Sequence, residues 1–335
     1  MLEIDGSFGL GGGQILRTAM GLSGFTGIPC KVNNIRLKHK NPGLREQHIQ
    51  IAKSVSRVCR GKITGAELGS TEIEFIPGKI QEQEINIKIG ATGSIGLILQ
   101  SILVPLSQSG VKVKITGGAT WGKWSPSVIY LKDVLCGLVK EMGYEVSVDI
   151  IREGFFPDGG GEVEIITKPA VWKEIDLTQR GGVLSINGIS VASEGLKEKN
   201  VAERQRDAAS KTLYEYCRVL PSMEINYVKT PAIGSGIFLA LDTEHQMIIG
   251  GSSLGEKRRK PEQIGKQAAK NLIKEYEKGG LDLFAADQLI PYLAIAGGKI
   301  KVSKITEHCR TNAFVAEKFL NVKVKMEENF IEVVK

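Results

Sequence analysis

The order in which periodic segments follow one another, stated once and then repeated, constrains this chain more than any other feature of its sequence. After a strand-like opening at residues 2–5, the loop Gly9-Leu10-Gly11-Gly12-Gly13 precedes residues 14–22, whose apolar positions 15, 16, 19, 20 and 22 form a helical stripe. The Thr26-Gly27 stop leads to a strand at 30–35, a second helix from near Pro42 to Val58, and strands around 62–68 and 72–76. The same order returns with a strand at 84–89, the loop 90–94, an apolar helix through 100–107 and a strand at 111–115. A helix at 126–142 and strands at 145–151 and 162–167 complete it. Each copy reads strand, helix, strand, helix, strand, strand. A unit this short buries its sheet only against neighbours, so two copies predict a third.

The third copy is interrupted. Residues 172–177 supply its opening strand, but the matching helix, 288–296, comes about a hundred residues later and is followed by 299–305, a helix at 312–319 and two final strands. The intervening stretch has its own strands at 183–191, 223–229, 236–241 and 247–250 and helices at 201–216 and 261–276. The expected architecture is α/β (α+β): a catalytic domain of three βαβαββ repeats over 1–182 and 279–335, with a small α/β domain inserted at 183–278.

Five cysteines, odd in number and without a Cys-x-x-Cys pair, read as reduced thiols, which places the chain in the cytoplasm. The chain opens directly on a strand, so no signal peptide is expected. The most apolar run, 95–106, is interrupted by Gln100 and Pro105 and is too short to cross a bilayer, so no membrane partner is expected. A net charge of +7 and a pI near 9.0 are compatible with a polyanionic partner without identifying one.

Several residues carry candidate chemistry. His308 closes a strand-like run and opens a helix; imidazole attacks phosphorus only while one ring nitrogen is unprotonated, which histidine allows near neutrality. A satisfied polar residue at a helix start is the competing reading. Gly11, Gly12 and Gly13 permit close backbone approach, and Arg17, one turn into the helix, offers a fork for phosphate oxygens. A packing turn is the alternative there, and the loop has neither the Gly-Lys-Ser/Thr of a Walker motif nor a Rossmann fingerprint. Arg36, Lys38, His39, Lys40, Arg45, Gln47 and His48 form a basic, amide-bearing cluster. For Lys38 and Lys40 a solvated strand end is the simpler reading, whereas Arg36 and Gln47 gain if they share a face with Arg17. Gln100, inside an apolar helix, needs hydrogen-bond partners. The run Phe284-Ala285-Ala286-Asp287-Gln288 offers an aromatic face for a base with polar groups at its edge, or a helix cap by Asp287. The basic run 256–260 reads as a charged loop before an RNA contact, 159–161 reads as a hairpin turn, and no Cys/His spacing points to zinc.

Taken together, Asp5-Gly6, Gly-x-Gly-Gly-Gly-Gln-Ile-Leu-Arg over 9–17, Asn34-Ile35-Arg36, Pro42-Gly43-Leu44-Arg45-x-Gln47-His48, Gly-Phe-Phe-Pro-x-Gly-Gly-Gly over 154–161, Ala286-Asp287-Gln288 and His308-x-x-Thr-Asn312 closely resemble the RNA 3′-terminal phosphate cyclase family. The resemblance spans the chain. It implies three repeats like the C-terminal domain of translation initiation factor 3 plus an inserted domain. It also implies an ATP-dependent, ligase-like reaction on RNA bearing a 3′-terminal phosphate, assisted by a divalent metal, Mg or Mn. In that scheme His308 attacks the ATP α-phosphate, the adenylate passes to the RNA 3′-phosphate, and the 2′-hydroxyl closes a 2′,3′-cyclic phosphodiester with loss of AMP. Arg17, Arg36, Gln47 and Gln100 then fall in the nucleotide site with Gly11, Gly12 and Gly13. Phe284 and Pro126 flank the adenine, and Ala285, Ala286, Asp287 and Gln288 line the same pocket. Leu10 stands where the family usually has Glu, and His39 where it usually has Arg, which leaves the metal ligands unknown. The alternatives are a cyclase-like branch in ribosomal RNA processing that lacks the nucleophile, an enolpyruvyl transferase built on related repeats, and a plain RNA-binding module. A homodimer is left open.

Overall fold

A computed structural model of the chain describes residues 1–123 and 125–334. It begins with β1 (Leu2–Asp5), α1 (Gly13–Thr26), β2 (Cys30–Asn33), α2 (Glu46–Cys59), β3 (Lys62–Thr64) and β4 (Ile73–Ile76). β1 and β2 are parallel and the remaining pairs antiparallel, in the order β1-β2-β4-β3. Alternation sends Val32 and Phe75 into the core, while Lys31 faces out, its Nζ 3.1 Å from both the Glu72 and Glu74 carboxylates. α2 starts at Glu46, later than the apolar period suggests, because the preceding loop is tied down elsewhere. There the Gly43 N–H (φ +77°) donates to Ile35 O at 2.9 Å and Leu44 N–H to Ser70 O at 2.8 Å.

The next elements are β5 (Glu84–Lys88), α3 (Ile95–Leu106), β6 (Lys112–Gly117), α4 (Val128–Tyr130), α5 (Cys136–Glu141), β7 (Val146–Arg152) and β8 (Gly161–Thr167). A π-helical turn, Leu131–Leu135, joins α4 to α5, where an unbroken helix was expected. The sheet order β5-β6-β8-β7 repeats that of the first sheet, with the same parallel and antiparallel pairs.

β9 (Ile175–Leu177) is followed by β10 (Val183–Ser193), α6 (Val201–Cys217), β11 (Ser222–Val228), β12 (Ser235–Thr243), β13 (Ile248–Leu254) and α7 (Pro261–Glu277). Their sheet has a different order, β11-β10-β12-β13, and with α6 and α7 it encloses a separate cluster that includes Leu213, Leu239, Ile249 and Leu272. The chain ends with α8 (Leu283–Gln288), α9 (Ile290–Ala296), β14 (Gly298–Lys301), α10 (Glu307–Phe319), β15 (Lys323–Glu327) and β16 (Phe330–Val334). β9 pairs in parallel with β14 across the intervening segment, giving β9-β14-β16-β15, the order of the first two sheets for a third time.

The helices of these three sheets share one apolar core, in which α1 packs on α2, α3 and α10, and α2 packs on α3. The second helix of one sheet thus leans on the first helix of another: α10 on α1, and α2 on α3. Among the described residues the cysteines are free, and no helix is long and apolar enough to cross a membrane.

Candidate active site

The loop between β1 and α1 is shaped by what crowds it. A Cβ at Gly13 would lie 2.3 Å from His48 Nε2, so the first position of α1 has room for hydrogen only. Gly9 sits at φ +57° against α10, where a Cβ would meet Thr311 Oγ1 at 3.2 Å and Glu307 Oε2 at 3.6 Å. Phe8 stacks on Phe314 of α10, with ring centroids 4.0 Å apart and planes at 10°. α1 starts behind Gly12 with no side-chain cap and no acid in its first turn, so its end keeps free amides and a partial positive charge.

α10 brings His308 to this loop. Thr306 caps the helix by accepting from Cys309 N–H at 3.2 Å, which places His308 in the first turn. Asn312, one turn further, is buried and joins three elements. Its Oδ1 accepts from Gln14 Nε2 at 3.1 Å and from Thr18 Oγ1 at 2.6 Å, and its Nδ2 donates to Asp287 O at 2.7 Å. Gln14 in turn accepts from Arg17 Nη2, so the guanidinium is held at one end of a chain of hydrogen bonds running from α1 through Asn312 of α10 to α8.

The electrostatics follow from this packing. Burial lowers the Arg17 pKa to about 10, opposed by the charge of Asp287. Burial raises Asp287 to about 7, opposed by Arg17 and assisted by Asp282. His308 is solvent-accessible on its outer side, yet partial burial and then the Arg17 cation lower its pKa below the ordinary imidazole value. The ring is therefore neutral at neutral pH, the state a nucleophile requires. His48, wedged against Gly13, is pushed down to about 3 by burial and by the nearby cations Arg17, Arg36 and Arg45, and its Nδ1 accepts from Arg45 N–H at 3.0 Å.

The structure gathers some of the residues singled out from the sequence and leaves others apart. Arg17, Gln100 and Gln288 line one small cavity with Gln14, Tyr292 and Asn312. Arg36 lies on the other side of His48, half-buried, its pKa lowered by burial and by Arg45. Gln47 is next to His48 but exposed. Lys38 is no free strand end: its Nζ donates to Gly9 O at 3.1 Å, tying the basic loop to the glycine loop. Ala285 and Ala286 are wholly buried, backbone included.

Asp287 does not cap a helix. Asp282 does, accepting from Phe284 N–H at 2.9 Å and Ala285 N–H at 3.1 Å, so α8 begins earlier than its apolar period suggests and Asp287 is buried inside it. Asp282 also accepts from Tyr130 Oη and Gly250 N–H, each at 2.8 Å, which fixes the start of α8 against α4 and β13. Phe284 keeps 47% of its surface exposed and meets Tyr130 edge-on at 5.7 Å, beside a cavity of about 230 Å³ lined also by Ser252, Asn271 and Lys274. Pro126 precedes Ser127, the cap of α4, and its carbonyl lies 2.7 Å from where a Cβ on Gly96 would be. Sequence reasoning missed Asn312 as a hub, His48 as a wedge, Asp282 and Tyr292; only the first two lay in quoted motifs.

The sequence profile of RNA 3′-terminal phosphate cyclases matches residues 8–326. The chain is 41% identical over 328 residues to the RNA 3′-terminal phosphate cyclase of Pyrococcus furiosus, covering 95% of this chain and 93% of that one. It belongs to the RNA 3′-terminal phosphate cyclase family. It is likewise 41% identical over 322 residues to the cyclase of Thermococcus kodakarensis, covering 95% of this chain and 92% of that one. The cyclase of Methanosarcina barkeri is 40% identical over 333 residues, covering 98% of this chain and 97% of that one.

The chain is accordingly an enzyme of the cyclase class, and its donor set bears on the divalent metal such an enzyme implies. Among the described residues no three His, Cys, Asp or Glu side chains are placed to hold a metal ion. Leu10 lies 57% exposed in the glycine loop, and Glu307, which approaches the neighbouring Gly9, faces Arg310 at 3.6 Å. These residues do not form a protein cage for a cation.

Proposed function

We propose that this cyclase converts an RNA 3′-terminal phosphate to a 2′,3′-cyclic phosphodiester at the expense of ATP, with His308 as nucleophile. The observation that carries the reading is the neutral His308 imidazole in the first turn of α10, beside the Arg17 cation and the open end of α1. A ring nitrogen of His308 attacks the α-phosphorus of ATP; the P–N bond forms as the bond to the β-phosphate oxygen breaks and pyrophosphate leaves. An oxygen of the RNA 3′-phosphate then attacks the same phosphorus, restoring the imidazole and leaving RNA-(3′)pp(5′)A. Finally the 2′-hydroxyl gives up its proton, attacks the 3′-phosphorus and expels AMP. Each displacement spreads negative charge over oxygens that Arg17, Arg36 and the first amides of α1 are arranged to receive.

In this reading Arg17, Gln100 and Gln288 hold the ribose-phosphate end of the nucleotide, and Phe284 and Pro126 flank its base. Residues 183–278 form a domain of their own, supported by their separate core and different strand order. The substrates are ATP and a 3′-phosphorylated RNA, met in the cytoplasm.

The deciding experiment incubates the protein with α-labelled ATP in Mg or Mn buffer and follows protein-bound label. A covalent adenylate that acid removes and base does not, present in the wild type and lost in His308→Ala, is the expected result. Absence of label, or equal label in the variant, overturns the assignment, and RNA binding without label would point to a binding module.

A further inference from the structure

Among the residues that line the cavity of Arg17, Gln100 and Gln288, three buried polar atoms lack a hydrogen-bond partner among the described residues: Arg17 Nε, Gln288 Oε1 and Tyr292 Oη. All three side chains line the same cavity, whose free volume is about 20 Å³. A buried polar group is rarely left unsatisfied, and a site of at least roughly 10–15 Å³ with two to four polar partners has room for one water molecule. The hydrogen-bonding capacities also fit. Arg17 Nε–H can only donate, Gln288 Oε1 can only accept, and a hydroxyl does either.

Tyr292 is not free to turn its hydroxyl elsewhere. It is 1% exposed, and its ring is held between Tyr144, at 6.4 Å, and Trp172, at 6.2 Å between centroids. A purely packing aromatic at this place on α9 needs no hydroxyl, and Phe would fill the same space.

We propose that Tyr292 is a positioning residue for Arg17, acting through one buried water that accepts from Arg17 Nε–H, donates to Gln288 Oε1 and hydrogen-bonds to the Tyr292 hydroxyl. With Gln14 holding Nη2 on one side and this water holding Nε on the other, the guanidinium is fixed in plane and direction. Tyr292 touches no substrate; it keeps the cation where His308 and the phosphates meet it. The inference rests on the reading of His308 and Arg17 given above.

The test joins a high-resolution crystal structure of the full chain to kinetics of Tyr292→Phe. The expected wild-type map shows an ordered water within about 3.2 Å of all three atoms. The expected variant keeps its fold and forms the His308 adenylate about tenfold more slowly, the loss of roughly one buried hydrogen bond. The loss falls mainly on kcat, and the acid limb of the pH profile moves to higher pH as Arg17 loosens. Should Tyr292→Phe not fold, Gln288→Met removes the water's acceptor and must move the acid limb the same way. A wild-type cavity without ordered water, or a folded variant with unchanged rate and pH profile, overturns the inference. If the wild type forms no adenylate at all, it is the function that fails, and the crystal map still decides the water.

Discussion

Two helix–loop junctions in this molecule have the same topology and different chemistry. At one, α10 meets the loop 6–12 and leans on α1; at the other, α2 meets the loop 89–94 and leans on α3. In both, the fifth residue of the helix presses on a loop glycine: Thr311 on Gly9, and Gln50 on Gly93, where a Cβ would lie 2.1 Å from Gln50 Oε1. The second residue is His308 in one and Gln47 in the other. The helix each leans on differs too. α1 presents Gln14, Arg17 and Thr18, whereas α3 opens with Ile95, Leu97, Ile98 and Leu99, all buried. The backbone frame therefore supplies two similar clefts, and on the reading proposed above His308 together with the buried Arg17 distinguishes the one that does the chemistry.

The largest effect is expected from making the first junction resemble the second. His308→Gln should lower adenylate formation by at least about a thousandfold, as loss of a nucleophile does. Adding Gln47→His to that variant should restore nothing, because the second cleft opens on the buried apolar start of α3 and not on Gln14 and Arg17. Labelling with α-labelled ATP checks both, and label returning in the double variant would mean that the frame, not the cation, selects the site.

Next comes the cation itself. Arg17→Gln should slow adenylation about a hundredfold by removing charge that meets the developing negative oxygens. The sign of the pH effect follows from His308: burial and then Arg17 lower its pKa, so the neutral form persists to lower pH than usual. Without the cation that pKa rises toward its ordinary value, and the acid limb of the rate profile moves to higher pH. Asp287, already raised to about 7, becomes protonated at neutral pH when its cation is gone and leaves no bare buried carboxylate. A single-turnover rate profile between pH 5 and pH 8 measures the shift, and an unmoved limb would show that burial alone sets the His308 pKa.

Local pattern made the frame legible; what lay beyond it needed contacts between distant residues. Strand alternation and helical stripes locate the elements, as Val32 and Phe75 facing inward from adjacent strands show. The interruption of the third copy is visible because strand order is a chain property. The hub role of Asn312 is not visible, since its partners Gln14 and Thr18 lie 298 and 294 residues away in sequence. The cap of α8, for which Asp287 was one of two readings, lies at Asp282 for a related reason: Asp282 is recognised by what it binds on α4 and β13. The place of His308 at a helix start was legible from its junction, but its lowered pKa follows from burial and then from Arg17, which only the packing of α10 on α1 brings close.

The smallest effect concerns stability and contrasts the polar side chains that brace the two junctions. Asn312 is 1% exposed and makes three hydrogen bonds, so Asn312→Ala leaves Gln14 Nε2, Thr18 Oγ1 and Asp287 O short of a partner. A loss of about 2–3 kcal/mol is expected. Gln50 makes one side-chain bond, Nε2 to Glu46 Oε1 at 3.2 Å, and its Oε1 has no partner among the described residues. Gln50→Ala removes that unsatisfied oxygen along with the one bond, so its cost should stay below about 1 kcal/mol. Urea unfolding of the two variants side by side measures the difference. Equal losses would mean that the α10 junction is braced no more strongly than the α2 junction, and that the Asn312 bonds serve to aim Gln14 and Arg17 rather than to hold α10 in place.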